Sequence, residues 1–376
     1  MRLLIVLLIG AAFYIVLRLV FLKNWYKGLD VKIDFEHRTI REGEKNTLSE
    51  VVRNDKAMPM PVVLVKFAIT RTFVFPRESN SSVTDQYYRK EYFSLRPYQR
   101  ITRKYTFTAT RRGEFGISSI NLICKDFFLF HNYTGGFDNR LASVLVLPAR
   151  IRQGEIPQEI IRLNGEIIQR VKLNEDPFAF QSIREYQPFD PMNHINWKAS
   201  AKTGFLEVNT FHSTNQRNVV LLLNLEGGSV RRGDTIAEAS IKIASTLASV
   251  FVSEHIPTAL CSNGIDKDSK EKISIGAGCD EGHIYSVDVA LARIELQEAY
   301  ASFHELILNK VEEFGENNDY IIISNSLREE IRDTFRHLQE KGVKISFIIP
   351  EYHYVNRKDF RENGMDIVKW EIDDEG

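Results

Sequence analysis

The chain has 376 residues, with 49 Lys+Arg against 50 Asp+Glu and a net charge of −1, which at roughly 150 residues per domain predicts two or three domains. Hydrophobic residues make up 43% and charged residues 26%, which excludes a disordered chain and a polytopic membrane protein, and the balanced charge lacks the basic excess of a dedicated nucleic-acid binder. Three cysteines, Cys124, Cys261 and Cys279, are too few for a disulfide framework and lack the paired spacing of a zinc site.

Leu3 to Leu22 is an apolar run of 20 residues whose single charge is Arg18. That length matches the roughly 20 residues that cross a hydrocarbon core. Arg18 sits near one end, where it can snorkel, and Trp25 and Tyr26 follow as interfacial residue types. A cleaved signal would close on small residues, whereas Ala12 is followed by Phe, Tyr, Ile and Val. Residues 1–26 are therefore expected to be a retained, single-pass anchor, and no later segment is expected to span. Arg18, Lys23 and Lys27 bias the body slightly toward the cytoplasm, and three unpaired cysteines agree with a reducing compartment.

Residues 27–150 carry a two-residue period. In Ile101–Ala109, Ile101, Tyr105 and Phe107 share one face, while Thr102, Lys104, Thr106 and Thr108 share the other. Further strands are predicted at Val31–His37, Thr47–Val52, Val62–Thr70, Tyr88–Ser94, Gly116–Cys124 and Ser143–Leu147. About seven short strands without a helix predict an antiparallel, immunoglobulin-like β-sandwich.

Residues 151–217 read as a polar connector with a helix near Gln158–Leu163. From 218 the pattern alternates. Asn218–Leu223 suits a buried parallel strand. A helix over Thr235–Glu254 follows, with Thr235 and Glu238 as a capping box. Strands are predicted at Thr258–Cys261, Tyr320–Ile323, Val343–Ile348 and Asp366–Trp370. Helices are predicted at Ile284–Gln297, Ser302–Phe314, Leu327–Glu340 and Asn356–Glu362. The alternation predicts an α/β domain over 218–376 with a mainly parallel sheet covered on both faces.

The connector holds the most distinctive stretch, Ile183 to Gly204, followed by Leu206, Val208 and Phe211. Pro188 and Pro191 bracket Asp190 in a rigid turn, Trp197 is expected to be a buried anchor, and Arg184, Glu185, Asp190 and Lys198 are placed to form a charge network between the two halves. The stretch resembles the hallmark of the bacterial and archaeal family called domain of unknown function 58, R-E-Y-x-P-G-D-x-x-x-x-I-D-W-K-x-S-A-R-x-x-x-L-x-V-x-x-F. Arg184, Glu185, Tyr186, Pro188, Asp190, Ile195, Trp197, Lys198, Ser200, Ala201, Leu206, Val208 and Phe211 fit it. Arg112-Gly113 and Asp126–Phe130 resemble a second passage of that family. Phe189, Asn196 and Lys202 depart from it, replacing Gly, Asp and Arg, and the loss of the acid at 196 removes a carboxylate.

The resemblance implies a carboxyl half similar to the von Willebrand factor A fold, which can hold Mg²⁺ through D-x-S-x-S after its first strand. Here the matching positions are Asn224, Glu226 and Gly228, a degenerate set from which no bound metal or other cofactor is expected. It also implies a non-enzymatic adaptor that works with a MoxR-type AAA+ ATPase and other membrane proteins in assembling or activating an envelope complex. The alternatives are a metal-dependent ligand-binding module and an enzyme using Glu185, Asp190 and Lys198. No catalytic set is complete: His304-Glu305 lacks a second zinc-binding His at Leu308, and no phosphate-binding G-x-x-x-x-G-K-[ST] run occurs. Cys261 and Cys279 are expected to be small buried hydrophobes.

Overall fold

A computed structural model describes residues 2–76, 81–83, 87–173, 180–187, 190, 192, 195–211, 217–226, 233–296, 302–325, 328–352 and 367–372. The chain divides into two compact units, Met1–Ala149 and Arg150–Gly376.

The first unit opens with α1 (Arg2–Asn24), a helix long and apolar enough to cross a bilayer. Among the described residues ten strands follow: β1 (Leu29–Phe35), β2 (Thr39–Arg41), β3 (Lys45–Asn54), β4 (Met60–Ile69), β5 (Phe73–Val74), β6 (Ser81–Val83), β7 (Tyr87–Leu95), β8 (Arg100–Ala109), β9 (Gly113–Lys125) and β10 (Asn132–Leu147). They form a β-sandwich of two sheets, ordered β1-β3-β8-β5 and β2-β10-β9-β4-β7-β6. The core alternates as the period requires: Leu48 and Val52 of β3, Val63, Val65 and Phe67 of β4, and Ile120 and Leu122 of β9 are buried. One pairing departs from the antiparallel expectation, because β2 runs parallel to β10 through Leu145↔Thr39 to Leu147↔Arg41.

The β9–β10 hairpin is longer than its sequence signal. Gly135 and Gly136 weaken the strand pattern, yet Gly135 pairs with Leu122. A Cβ at Gly135 would lie 2.8 Å from Tyr26 and 2.9 Å from Trp25, so the glycine lets the residues leaving α1 lie flat on the strand. The end of α1 belongs to this core. Phe21 is fully buried, with ring centroids 5.3 Å from both Phe127 and Tyr133, and Trp25 is buried beside them.

The second unit contains α2 (Gln158–Leu173), β11 (Phe180–Glu185), α3 (Trp197–Thr203), β12 (Glu207–Phe211), β13 (Val219–Leu223), α4 (Gly233–Ser253), β14 (Thr258–Asp266), β15 (Lys272–Gly278), α5 (Glu281–Arg293), β16 (Ile294–Glu295), α6 (Phe303–Phe314), β17 (Asp319–Ile323), α7 (Glu329–Glu340), β18 (Lys344–Tyr352) and β19 (Ile367–Ile372). The large sheet runs β15-β14-β13-β17-β18-β19, with β15 antiparallel at one edge and the strands from β14 to β19 parallel; β16 pairs with β14. β13 shows why a continuous apolar run is needed. Val219, Leu221 and Leu223 face α4 and α5, while Val220 and Leu222 face α6 and α7.

Several expectations change. The stretch after residue 150 is more than a polar connector: α2 extends to Leu173 and buries Ile160, Leu163 and Ile167 in the core that contains α4. The helix after β13 begins at Gly233, so Thr235 lies in its first turn and is not its cap. Within that helix Thr235–Ser253 is itself long and apolar enough to span a membrane, against the expectation, but two-thirds of its apolar window is buried against the sheet, which identifies a core helix. The helix expected at 356–362 lies outside the described residues.

Candidate functional site

The signature stretch folds as a small ribbon capped by a short helix. β11 and β12 pair antiparallel with Arg184 opposite Val208 and Glu185 opposite Glu207. Asp190 closes the turn beyond β11, with its Oδ2 accepting from the Gln187 amide at 2.8 Å. Arg184 grips the same carboxylate with two nitrogens, at 2.7 and 2.6 Å, and donates to the Glu185 carbonyl at 3.1 Å. The paired fork recognises a carboxylate geometrically as well as electrostatically, and its hydrogen bonds to Asp190 raise the guanidinium further into its protonated range. Tyr186 donates its amide to the Leu206 carbonyl at 2.8 Å and is half-buried.

Asn196 caps α3. Its Oδ1 accepts from the Ala199 amide at 2.9 Å, and Gly204 ends the helix at φ 81°. Aspartate and asparagine cap helices equally well, so the asparagine at 196 serves as a full N-cap here. Ser200 joins the helix to the ribbon, donating to the Asn196 carbonyl at 2.8 Å and accepting from the Glu207 amide at 2.9 Å. Only Ile195 and Val208 are buried in this stretch among the described residues, and they face each other across an isolated bridge.

Two sequence expectations fail here. Trp197 is not a buried anchor: at the first turn of a solvent-facing helix it is 64% exposed, alongside exposed Ile183, Met192, Phe205 and Leu206. The four-member charge network reduces to Arg184–Asp190, since Glu185 and Lys198 are exposed and neither has an ion pair among the described residues. Pro188 lies outside the described residues.

The second candidate site is the carboxyl edge of the large sheet. Its strand order reverses between β13 and β17, and in open α/β sheets ligands bind beyond the strand ends at such a switch point. Asn224, directly after β13, donates Nδ2–H to Ser324 Oγ after β17, and its Oδ1 accepts from Asn263 Nδ2 of β14 and from the Glu226 amide, each at 2.9 Å. Asn263 Oδ1 accepts from the Leu225 amide at 2.9 Å, and Ser262 Oγ donates to the Leu223 carbonyl at 2.9 Å. All four side chains are buried. Glu226 is held away from this hub, because its Oε1 accepts from the Phe303 amide at the start of α6 (2.9 Å) and its Oε2 lies 3.6 Å from Arg328. A carboxylate at a helix N-terminus is electrostatically favoured there. Gly228 lies outside the described residues. Among the described residues, no three His, Cys, Asp or Glu side chains converge in metal-binding geometry.

A third cluster was not anticipated. Glu50 of β3 points between the sandwich sheets, fully buried, and neither of its oxygens has a hydrogen-bond partner among the described residues. Burial first, then the neighbouring Glu91 carboxylate, pushes its carboxyl up to about 7, although Arg103, Arg89 and Tyr105 pull it down. Glu91 of β7 is satisfied by Arg103 at 2.8 Å and Arg89 at 3.3 Å. Arg89 lies 4.0 Å over the Tyr105 ring and Arg103 4.3 Å over the Phe93 ring. Its sequence signal was parity, since Glu50 sits in step with Leu48 and Val52. The thiols of Cys124 and Cys261 are buried and pushed up by burial, Cys124 to about 12, which leaves them unreactive; Cys279 is half-buried.

No family model and no curated protein matches the chain. Among solved structures, it is similar to the CARDB domain of a Pyrococcus furiosus protein, at 16% identity over 32% of this chain and 96% of that one, with a TM-score of 0.21. It is also similar to a cohesin module from a family 33 glycoside hydrolase of Clostridium perfringens, at 11% identity over 31% and 98%, with a TM-score of 0.21. At these scores neither likeness bears on what the chain does.

Proposed function

We propose that the chain is a membrane-anchored, non-enzymatic adaptor with a cytoplasmic body, a member of the domain of unknown function 58 family that docks a MoxR-type AAA+ ATPase through its β11–α3–β12 ribbon. The observation that carries the docking role is the ribbon itself. Its backbone is tied by Arg184–Asp190, the Asn196 cap and Ser200, yet Ile183, Trp197, Phe205 and Leu206 stand exposed from it. An ordered frame that holds aromatic and aliphatic side chains in water has the anatomy of a binding hot spot. Retention of α1 is supported by Phe21, whose burial stabilises the sandwich by about 2–3 kcal/mol and would be lost on cleavage. The parallel sheet with one antiparallel edge strand and helices on both faces supports reading the second unit as von Willebrand factor A-like with a degenerate metal site.

The test is capture of the matching ATPase by the full-length protein in detergent, with and without nucleotide. Binding is expected, and Trp197→Ala and Phe205→Ala are expected to weaken it without moving the melting temperature. Absence of association together with an unchanged ATPase rate refutes the adaptor reading. A second reading, a Mg²⁺-dependent ligand module, is motivated by the position of Asn224 and Glu226 at the switch point. It requires that millimolar Mg²⁺ raise the melting temperature of the native state.

A further inference from the structure

The turn joining β9 to β10 leaves three large apolar side chains in the open: Phe128, Leu129 and Phe130 are 41%, 51% and 76% exposed. Its frame faces inward. The buried Asp126 accepts at Oδ1 from the Phe130 amide at 2.9 Å and from the His131 amide at 3.5 Å, and its Oδ2 lies 3.2 Å from His131 Nδ1. The Asp126 carbonyl accepts from the Leu129 amide at 3.0 Å, and the Asp126 amide donates to the His131 carbonyl at 3.3 Å. Leu129 has φ 63°, a left-handed conformation that costs an L-residue about 1–2 kcal/mol and persists where the surroundings over-determine it. The tip therefore satisfies the Leu129, Phe130 and His131 amides within itself, which lowers the cost of meeting lipid, while presenting side chains that water disfavours.

The tip leans on α1. The Tyr14 ring lies 5.1 Å from Phe128 and 6.4 Å from Phe130, and its hydroxyl is 3.4 Å from His131 Nδ1. Phe21 is seven residues later in α1, so at about 1.5 Å per residue the tip rides about 10 Å farther along the helix than the Phe21 anchorage. Interfacial apolar faces bury about 5–10 Å into the headgroup and acyl boundary. Phe13 and Ile15, the neighbours of Tyr14 in α1, are exposed apolar side chains that flank the tip. The strand registers Leu29↔Asn54, Met60↔Leu95 and Val62↔Lys125 bring the turn after β7 to this end of the sandwich, where exposed Lys23, Lys27 and Arg96 and the exposed Tyr98 are headgroup-level residue types.

We propose that Phe128, Leu129 and Phe130 insert into the lipid bilayer beside α1, so that the sandwich is seated in the membrane surface at a fixed height and does not hang from a tether. The inference rests on the reading of α1 as a retained anchor, and its test separates the two. Full-length protein carrying Phe130→Trp is reconstituted into phosphatidylcholine vesicles with acyl chains brominated near mid-chain, and the emission of the parent, with Trp25, Trp197 and Trp370, is subtracted. The added tryptophan is expected to emit at short wavelength and to lose most of its emission to bromine. Lys45→Trp, exposed at the opposite end of the sandwich beside Thr108, is expected to keep its emission. Phe128→Trp gives a second reading of the same depth. Protein that floats with the vesicles while tryptophan at 130 and 128 behaves as it does at 45 overturns the insertion and leaves the anchor intact. Protein that does not float overturns both.

Discussion

Glu50→Gln isolates the most unusual electrostatic feature of the sandwich. Glu50 is 0% exposed, and its carboxyl is raised from 4.5 to about 7. Between those values the native state holds a proton that the unfolded chain has already released, so stability falls as pH rises. The penalty is absent below about pH 4.5 and complete above about pH 7. At about 1.4 kcal/mol for each tenfold change in proton affinity it reaches about 3 kcal/mol. Glutamine matches the protonated acid in shape and cannot ionise. The variant should equal the parent near pH 5 and exceed it by about 2–3 kcal/mol near pH 8, where the parent buries a charge without a hydrogen-bond partner. Because the chain holds two units, global unfolding mixes their signals. Hydrogen exchange of β3 and β8 amides, read by mass spectrometry after correction for intrinsic rates, isolates the sandwich. Protection of these amides in the parent should fall by roughly a hundredfold relative to the variant between the two pH values. Equal pH dependence in both proteins, or lower protection of the variant at both pH values, would refute the assignment of a protonated, unpaired Glu50.

Three further perturbations address other elements. Asn224→Asp places a charge in the neutral hub with Asn263 and Ser324 and should lower the unfolding free energy of the second unit by about 1–3 kcal/mol in denaturant titration; millimolar Mg²⁺ should not restore it, because Glu226 is committed to the start of α6 and to Arg328, and full rescue would favour the metal reading. Arg170→Ala removes the guanidinium that donates to the buried Asp319 and should cost on the order of 2 kcal/mol by thermal unfolding; burial raises that carboxyl, and Arg217 and Lys344 remain to oppose the rise, so the cost is less than for a fully buried pair. Gly135→Ala drives a Cβ into Trp25 and Tyr26 and should cost about 1–3 kcal/mol, visible as a shift in Trp25 emission; an unshifted spectrum would mean that the exit of α1 does not lie on β10.

The parts of the fold that were legible are those where one local period suffices. Ile101–Ala109 announces a half-buried strand, and the uniform apolar run of β13 announces a strand covered on both faces. The elements that were missed depend on distant partners. The amino end of β10, with Gly135 and Gly136, is a strand because β9 supplies its hydrogen bonds. α3 spans only Trp197–Thr203, and its cap is a single Asn196, so no helical period has room to develop. Trp197 departs from the burial its aromatic bulk predicts, because at the solvent face of a one-sided ribbon nothing among the described residues covers it. Glu50 was legible in principle, since a carboxylate in step with Leu48 and Val52 has to point inward, but its meaning depends on Glu91, Arg89 and Arg103 from other strands.

Asn224 takes on a different meaning once the strands are assembled. The resemblance in the sequence implies only that a metal-binding carboxylate is missing there. In the folded chain it binds residues 39 and 100 positions away and uses both faces of its amide, donating to Ser324 while accepting from Asn263 and the Glu226 amide. A carboxylate has no N–H to donate, so the network as built requires the amide. Glu226 turns toward α6, where its carboxylate accepts from the Phe303 amide at the start of that helix. Asp at 224 would place a charge among buried neutral partners while Glu226 stays committed to α6 and to Arg328, so Asn224→Asp alone should strain the sheet edge without building a cation site.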